Sequence, residues 1–178
     1  MGRVAMSPVT VYVPGDASAV SVGADAVARA LESEATRRGR GVRIVRNGSR
    51  GLYWLEPLVE VVTPGGRVAY GPVHAAQVPK LLDGGLLDGA PHELRLGDMG
   101  AHPWLVSQQR LTAARLGIVD PASVDDYLAH GGYQGLDAAL AMAPADIVRT
   151  VTESGLRGRG GAAFPTCLLY TSPSPRDS

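Results

Sequence analysis

Near the N-terminus apolar residues recur at every second position. Val9, Val11 and Val13 keep the period of a strand with one face buried, and Pro14 and Gly15 stop it. The rhythm then lengthens. Ala24, Val27, Ala28 and Leu31 follow i, i+3, i+4, i+7, which predicts a helix with one apolar side, and Arg37 to Gly41 ("RRGRG") ends it with the cations and glycine that suit a helix C-terminus. Val42 and Ile44 alternate with arginines and predict a second strand. In "LVEVVTPGGRVAYGPV" two β-rich runs flank Thr63-Pro64-Gly65-Gly66, the pattern of a hairpin. "HAAQVPKLLDGGLL" predicts a short helix, broken or kinked near Pro79. Strand, helix, strand, hairpin and helix make an α/β layer from Val9 to Leu87.

The next stretch, 88–103, is dense in turn-forming residues and reads as a linker. Helical patterns follow it. Leu111, Ala114 and Arg115 are spaced for a helix ending at Gly117. Ser123 and Asp126 match a short capping box opening "VDDYLAHGG". "YQGLDAALAM" and "PADIVRTVTE" predict two more helices, the second with Pro144 in its first turn and Ile147, Val148 and Val151 on one side. No internal repeat is present. The expected division is therefore 1–87, a linker 88–103, a helical unit 104–166, and a tail 167–178.

Composition adds limits. The chain has 178 residues, 45% of them hydrophobic, enough for one sizeable domain or two small ones. Its 17 basic residues balance 17 acidic ones, so charge gives no reason to expect nucleic acid or a membrane surface as partner. No apolar run is long enough to span a bilayer, and the N-terminus lacks a signal-peptide plan, so a cytoplasmic location is expected. The single cysteine, Cys167, rules out an internal disulfide and a cysteine-ligated zinc or iron–sulfur site within the chain. His74, His92, His102 and His130 are scattered without ligand spacing, and no metal or catalytic residue is assigned.

The candidate chemistry lies in "SGLRGRGGAAFPT", residues 154–166. Gly158, Gly160 and Ala163 spell the G-x-G-x-x-G/A fingerprint, but a helix and not a strand leads into it, which argues against a Rossmann site. The loop's physics does not depend on that label. Glycines let backbone N–H groups approach an anion, arginine adds charge-assisted bonds to phosphate, and Phe164 offers a face to a planar ring. From composition alone, a flexible glycine turn, a piece of an RGG-type RNA-binding tract, and a core role for Phe164 all remain open.

The wider motif narrows this. "SGLRGRGGAAFPT" and its approach "QQRLTAARLGIVDPASVDDYLAHGGYQGLDAALAMAPADIV" resemble the flavin- and NADH-binding region of the family of flavoprotein subunits shared by respiratory complex I, NAD-reducing hydrogenases and NAD-dependent formate dehydrogenases. The resemblance covers Trp104 to Thr166. Ala163 stands where that family commonly has a glycine. The layer 1–87 is similar to thioredoxin-like ferredoxin domains, in which a C-x-x-x-C pair precedes a "GPLVEV"-type strand and helps hold a [2Fe–2S] cluster. In "GSRGLYWLEPLVEV", Ser49 and Tyr53 take the two cysteine places, so this layer is expected to carry no cluster.

A cysteine-free thioredoxin-like layer ahead of a flavin module resembles the β-subunit branch of soluble NAD-dependent formate dehydrogenases. That resemblance implies an α/β thioredoxin-like domain followed by the helical start of an FMN/NADH-binding domain. It implies a diaphorase role, with electrons from a molybdenum or tungsten formate dehydrogenase subunit passing through a small iron–sulfur subunit and FMN to NAD. It also implies a cofactor-binding set of Gly155, Arg157, Gly158, Arg159, Gly160, Gly161, Ala162, Ala163 and Phe164. Two alternatives stand beside it: the flavoprotein subunit of an NAD-reducing hydrogenase or NADH-quinone oxidoreductase, and a non-enzymatic docking domain. "CLLYTSPSPRDS" reads like a translated sequencing adapter, so 167–178 is expected to be foreign. The family's [4Fe–4S] site is then expected only in a C-terminal part missing here, and the chain alone is expected to be inactive.

Overall fold

The computed structural model describes residues 7–159 and 161–166. Two compact units are present, Met1–His130 and Gly131–Ser178.

In the first unit the strand rhythm gives β1 (Val9–Tyr12). A short helix α1 (Ala17–Ser21) follows, capped by Asp16, whose carboxylate accepts from the Ala19 N–H at 3.1 Å. Helix α2 (Ala24–Arg37) buries Ala24, Val27, Ala28, Leu31 and Ala35, the face that its spacing predicts. It returns the chain to β2 (Val42–Val45), parallel to β1, through the kind of helical crossover that parallel strands require. Strands β3 (Val59–Thr63) and β4 (Gly66–Tyr70) form the expected hairpin around Pro64 and Gly65. Helix α3 (Val78–Asp83) begins just before Pro79. The proline therefore sits in the first turn, where its missing N–H costs nothing, and does not break the helix.

Residues 88–103, where the sequence suggests a linker, hold β5 (Arg95–Gly97), which pairs with β4 and completes a sheet of order β2-β1-β3-β4-β5. A three-residue edge strand is too short for periodicity to reveal. Strand β3 runs antiparallel to both neighbours, and α2 and α3 share one core cluster, a mixed α/β, thioredoxin-like layout.

Alternation along the strands divides the apolar side chains between two clusters. Val11, Val59, Val61 and Tyr70 pack with Val27, Leu31, Val78 and Leu81 beneath the helices. Ala69, one position out of phase with Tyr70, joins Leu52, Leu58 and Met99 in a smaller cluster. Helix α4 (Pro103–Val106) adds Leu105 to that cluster.

The stretch expected to be a helix around Leu111 and Ala114 is a run of turns. Leu111 is exposed, so a helix there would have no apolar face to bury. The run is tied down through its carbonyls instead. Asn47 Nδ2 and Arg67 donate to the Gly117 oxygen, each at 2.9 Å, and Arg67 also donates to the Ile118 oxygen at 3.0 Å. Gly117 has φ +78°, and a Cβ there would lie 2.3 Å from Arg50 Cγ, so only glycine fits. Helix α5 (Val124–Ala129) then starts at the expected cap, with Ser123 Oγ accepting from the Asp126 N–H at 3.1 Å.

The second unit contains α6 (Gln134–Leu140) and α7 (Pro144–Glu153), both where the sequence places helices, and neither buries a residue. Among the described residues no helix is long and apolar enough to cross a membrane.

Candidate functional site

Helix α7 ends at Ser154, whose hydroxyl donates to the Val151 carbonyl at 2.7 Å, and Gly155 takes φ +64° to turn the chain out of the helix. The glycine-rich segment then folds back on itself. Arg157 and Pro165 form an antiparallel bridge, the Gly158 N–H donates to the Phe164 carbonyl at 2.8 Å, and the Thr166 N–H donates to the Leu156 carbonyl at 3.0 Å. Thr166 Oγ1 donates to the same Leu156 oxygen at 2.9 Å and locks the base of the loop.

This closure places Arg157, Gly158, Arg159 and Gly161 to Phe164 in one exposed loop. Arg157, Arg159, Gly161, Ala162, Ala163 and Phe164 are exposed and Gly158 is half-buried, while Gly160 lies outside the described residues. Arg157 and Arg159 are exposed, and the ion pairs found among the described residues engage other arginines. Phe164 is 57% exposed and joins neither core cluster among the described residues. A Cβ added at Gly161 would meet nothing within 4 Å, so the chain itself does not require glycine there. Ala163 has φ +46°, a conformation that glycine adopts without cost and alanine does not. The loop is therefore held in a glycine-type turn by its base, with two cations and an aromatic face at its rim. Backbone donors can approach an anion there unobstructed, and the groups present fit a phosphate with an attached planar ring.

In the first unit the two residues at the cysteine places part company. Ser49 is buried, and Tyr53, in a 3-10 turn, is exposed. Ser49 Oγ donates to Glu56 Oε1 at 2.7 Å and accepts from the Gly51 N–H at 3.0 Å, while its own N–H donates to Asp16. Glu56 Oε2 accepts from the Leu58 N–H at 2.8 Å. Burial pushes the Glu56 carboxyl above its ordinary value against these hydrogen bonds, and nearby Asp16 and Glu60 add to the rise. Burial acts on Asp16 too, but the hydrogen bonds from Ser18, Ala19 and Ser49 outweigh it and hold that carboxyl low. Glu60, buried in the central strand, is matched by Arg50 through two bonds of 2.7 and 2.9 Å. Sequence reasoning singled out Ser49 and Tyr53 but not Asp16, Glu56 and Glu60. The available signal was two acidic residues inside the apolar run "LEPLVEV".

A cavity of about 370 Å³ lies elsewhere in this unit, lined by Leu111, Thr112, Ala114, Arg115, Ile118 and His130. None of the sequence-predicted site residues among the described residues lines it. No group of three or more His, Cys, Asp or Glu residues is arranged to hold a metal ion among the described residues.

No family model matches the chain. A stretch of 63 residues, 35% of the chain, is 54% identical to the HndC subunit of an NADP-reducing hydrogenase of Solidesulfovibrio fructosivorans. Stretches of 48 and 58 residues, 27% and 30% of the chain, are 64% and 59% identical to NADH-quinone oxidoreductase subunits of Streptomyces coelicolor and of Aquifex aeolicus. These matches span 13%, 11% and 14% of the three relatives, so the chain covers only about an eighth of their length. Among solved structures, the thioredoxin-like [2Fe-2S] ferredoxin from Aquifex aeolicus aligns over 52% of this chain and 100% of its own, with 23% identity and a TM-score of 0.42.

Proposed function

We propose that the chain supplies the thioredoxin-like layer and the cofactor loop of a diaphorase subunit, one that exchanges electrons between FMN and NAD in an enzyme of the soluble NAD-dependent formate dehydrogenase type. The observation that carries this reading is the closed, exposed loop 157–165, with Arg157, Arg159 and Phe164 at its rim and open space at Gly161. Local identity of 54–64% to subunits of NAD(P)-linked oxidoreductases supports it.

Bound FMN would supply hydride exchange with a nicotinamide and single-electron transfer onward. The chain's own residues do the holding. Gly161 would let the backbone approach, Arg157 and Arg159 would offer charge-assisted bonds to phosphate, and Phe164 would offer a stacking face to a ring. Each such bond contributes about 1.5–3 kcal/mol, against an association cost of about 4–15 kcal/mol. This loop alone therefore retains flavin weakly, and the remaining contacts come from sequence corresponding to the unmatched length of the relatives. The partners under this reading are a molybdenum or tungsten formate dehydrogenase subunit and a small iron–sulfur subunit.

Formate as donor rests on the cysteine-free "GSRGLYWLEPLVEV" and its resemblance to that branch. A second reading, hydrogen or a quinone as the other substrate, is favoured by the names of the relatives.

The test joins Thr166 to the downstream sequence of the Streptomyces coelicolor relative and measures flavin after gel filtration and NADH-dependent dye reduction. We expect FMN to be retained and NADH to be oxidised, and Gly161→Val, which the loop itself accommodates, to abolish both. A flavin-free, inactive chimera, or a Gly161→Val variant that keeps its FMN, overturns the assignment of the loop.

A further inference from the structure

One segment of the first unit is closed by a carboxyl group with no cation beside it. Along residues 49–58, Leu52 and Leu58 are buried with Met99, and Leu55 packs against the same cluster, as does Leu105 of α4. The neck of the segment is the Ser49–Glu56 hydrogen bond of 2.7 Å, to which the Gly51 and Leu58 N–H groups also donate. At its tip the 3-10 turn Tyr53–Leu55 sets the Trp54 ring in edge-to-face contact with Trp104 of α4, the centroids 5.6 Å apart. Glu56 is 7% exposed, and among the described residues no ion pair reaches it, since Arg50 is committed to Glu60. The charges that act on Glu56 from neighbouring elements are Asp16, ahead of α1, and Glu60, on β3, both of its own sign.

A neutral carboxyl suits this place. It keeps its hydrogen bond to Ser49 whichever of the two oxygens donates, whereas an ionised one is desolvated and shares Ser49 with Asp16, which accepts the Ser49 N–H. We propose that Glu56 is the latch of a pH-sensitive clasp: neutral, it holds residues 49–58 closed and Trp54 against Trp104; ionised, it gives its proton to water, draws solvent into the neck and lets the two rings part. The shared apolar cluster is the mechanical link, because Leu55 and Leu105, the neighbours of the two tryptophans, pack on it from the segment and from α4. Tyr53 and Trp54 are both exposed, so the clasp makes the arrangement of an aromatic surface depend on pH. The raised titration of Glu56, caused first by burial, sets the direction: the closed form is complete below the ordinary carboxyl value and is lost as pH rises through the raised one.

The experiment follows far-ultraviolet circular dichroism of the 178-residue chain against pH. Trp54 and Trp104 are its two tryptophans, so the exciton couplet of paired indoles, taken as the difference from Trp104→Phe, reports their contact. The couplet is expected to fall by at least about twofold as pH rises through the Glu56 transition, while amide exchange shows α2 still protected. Glu56→Gln, neutral throughout, keeps the couplet constant over the same range. His102, two residues before Trp104 at the start of α4, is the competing titratable group. A transition that survives Glu56→Gln and disappears in His102→Gln assigns the switch to α4 and overturns the proposal. A couplet that does not change with pH, or that is lost only together with α2 protection, overturns it too. For a Glu56→Gln chain that does not fold, the second variant is Asp16→Asn, which keeps a competent helix cap and removes one like charge. That change moves the transition to lower pH, and an unmoved transition overturns the latch.

Discussion

Met1–His130 and Gly131–Ser178 treat similar side chains in opposite ways. In the first unit Leu31, Val59, Val61, Tyr70 and Val78 are sealed between a five-stranded sheet and its helices, and even the charged Glu60 and Arg50 are drawn in as a matched pair. In the second, Leu136, Leu140 and Val148 stand in solvent on helices that bury nothing. Both regions have the amphipathic spacing that predicts packing. A pattern therefore states what a helix would bury, and only the rest of the fold determines whether it does. The first unit contains its own cover. The second has local order, namely a closed loop and a left-handed turn, and its described candidate loop residues, Gly158 apart, are exposed.

The sharpest way to break the comparison is to unpair a charge in the first unit. Arg50→Ala leaves Glu60 buried in the central strand without its two hydrogen bonds, a loss of about 3–5 kcal/mol. Urea denaturation followed by far-ultraviolet circular dichroism measures it. A change below about 1 kcal/mol means that water reaches Glu60 and that this unit is less closed than its burial indicates.

A matched pair of truncations tests the comparison directly. Leu31→Ala in α2 costs about 2–5 kcal/mol, because a cavity opens between helix and sheet. Leu140→Ala in α6 stays within about 0.5 kcal/mol in the 178-residue chain. Equal effects erase the distinction between the units.

The pH dependence of the first unit follows from Glu56 and Asp16. Glu56 is raised above its ordinary value, so the stability it contributes is complete below that value and is lost as pH climbs through the raised one. Asp16 is lowered, so its contribution is present above its ordinary value and is lost as pH falls through the lowered one. The melting temperature is expected to drift down by a few degrees as pH rises through the Glu56 transition. Glu56→Gln flattens that limb and leaves the acid limb in place. An unchanged slope in Glu56→Gln assigns the dependence to other groups.

The sequence made the long elements legible because their periodicity is set by what they bury. Strands β1 to β4, helix α2 and the Thr63–Gly66 turn all lie where alternation and spacing put them. Strand β5 is three residues long and carries no period. The turns around Leu111 look helical in spacing but are held by side chains from Asn47 and Arg67, far away in sequence. Of the site, the glycines and arginines were readable as a loop. Its closure by the Arg157–Pro165 bridge was not, because a single bridge leaves no pattern. The polar network of Ser49, Glu56 and Asp16 was hidden for another reason: three separate segments converge to make it.

The smallest expected effect probes the residue strained by a left-handed backbone among the described residues of the loop. Ala163 has φ +46°, and a left-handed conformation costs a residue with a Cβ about 1–2 kcal/mol. Glycine removes that cost but widens the unfolded ensemble, which returns part of the gain, so Ala163→Gly stabilises the closed loop by up to about 1 kcal/mol. The Gly158 and Thr166 N–H groups close the loop onto the Phe164 and Leu156 carbonyls, so their exchange reports this equilibrium residue by residue. A gain of that size slows both amides by up to about fivefold, since 1.4 kcal/mol corresponds to a factor of ten. If both amides exchange faster in Ala163→Gly, the left-handed turn is not what sets the loop's shape. Its order would then come from the base at Leu156 and Thr166 alone, and the second unit would depend on its rigid end as the first depends on its core.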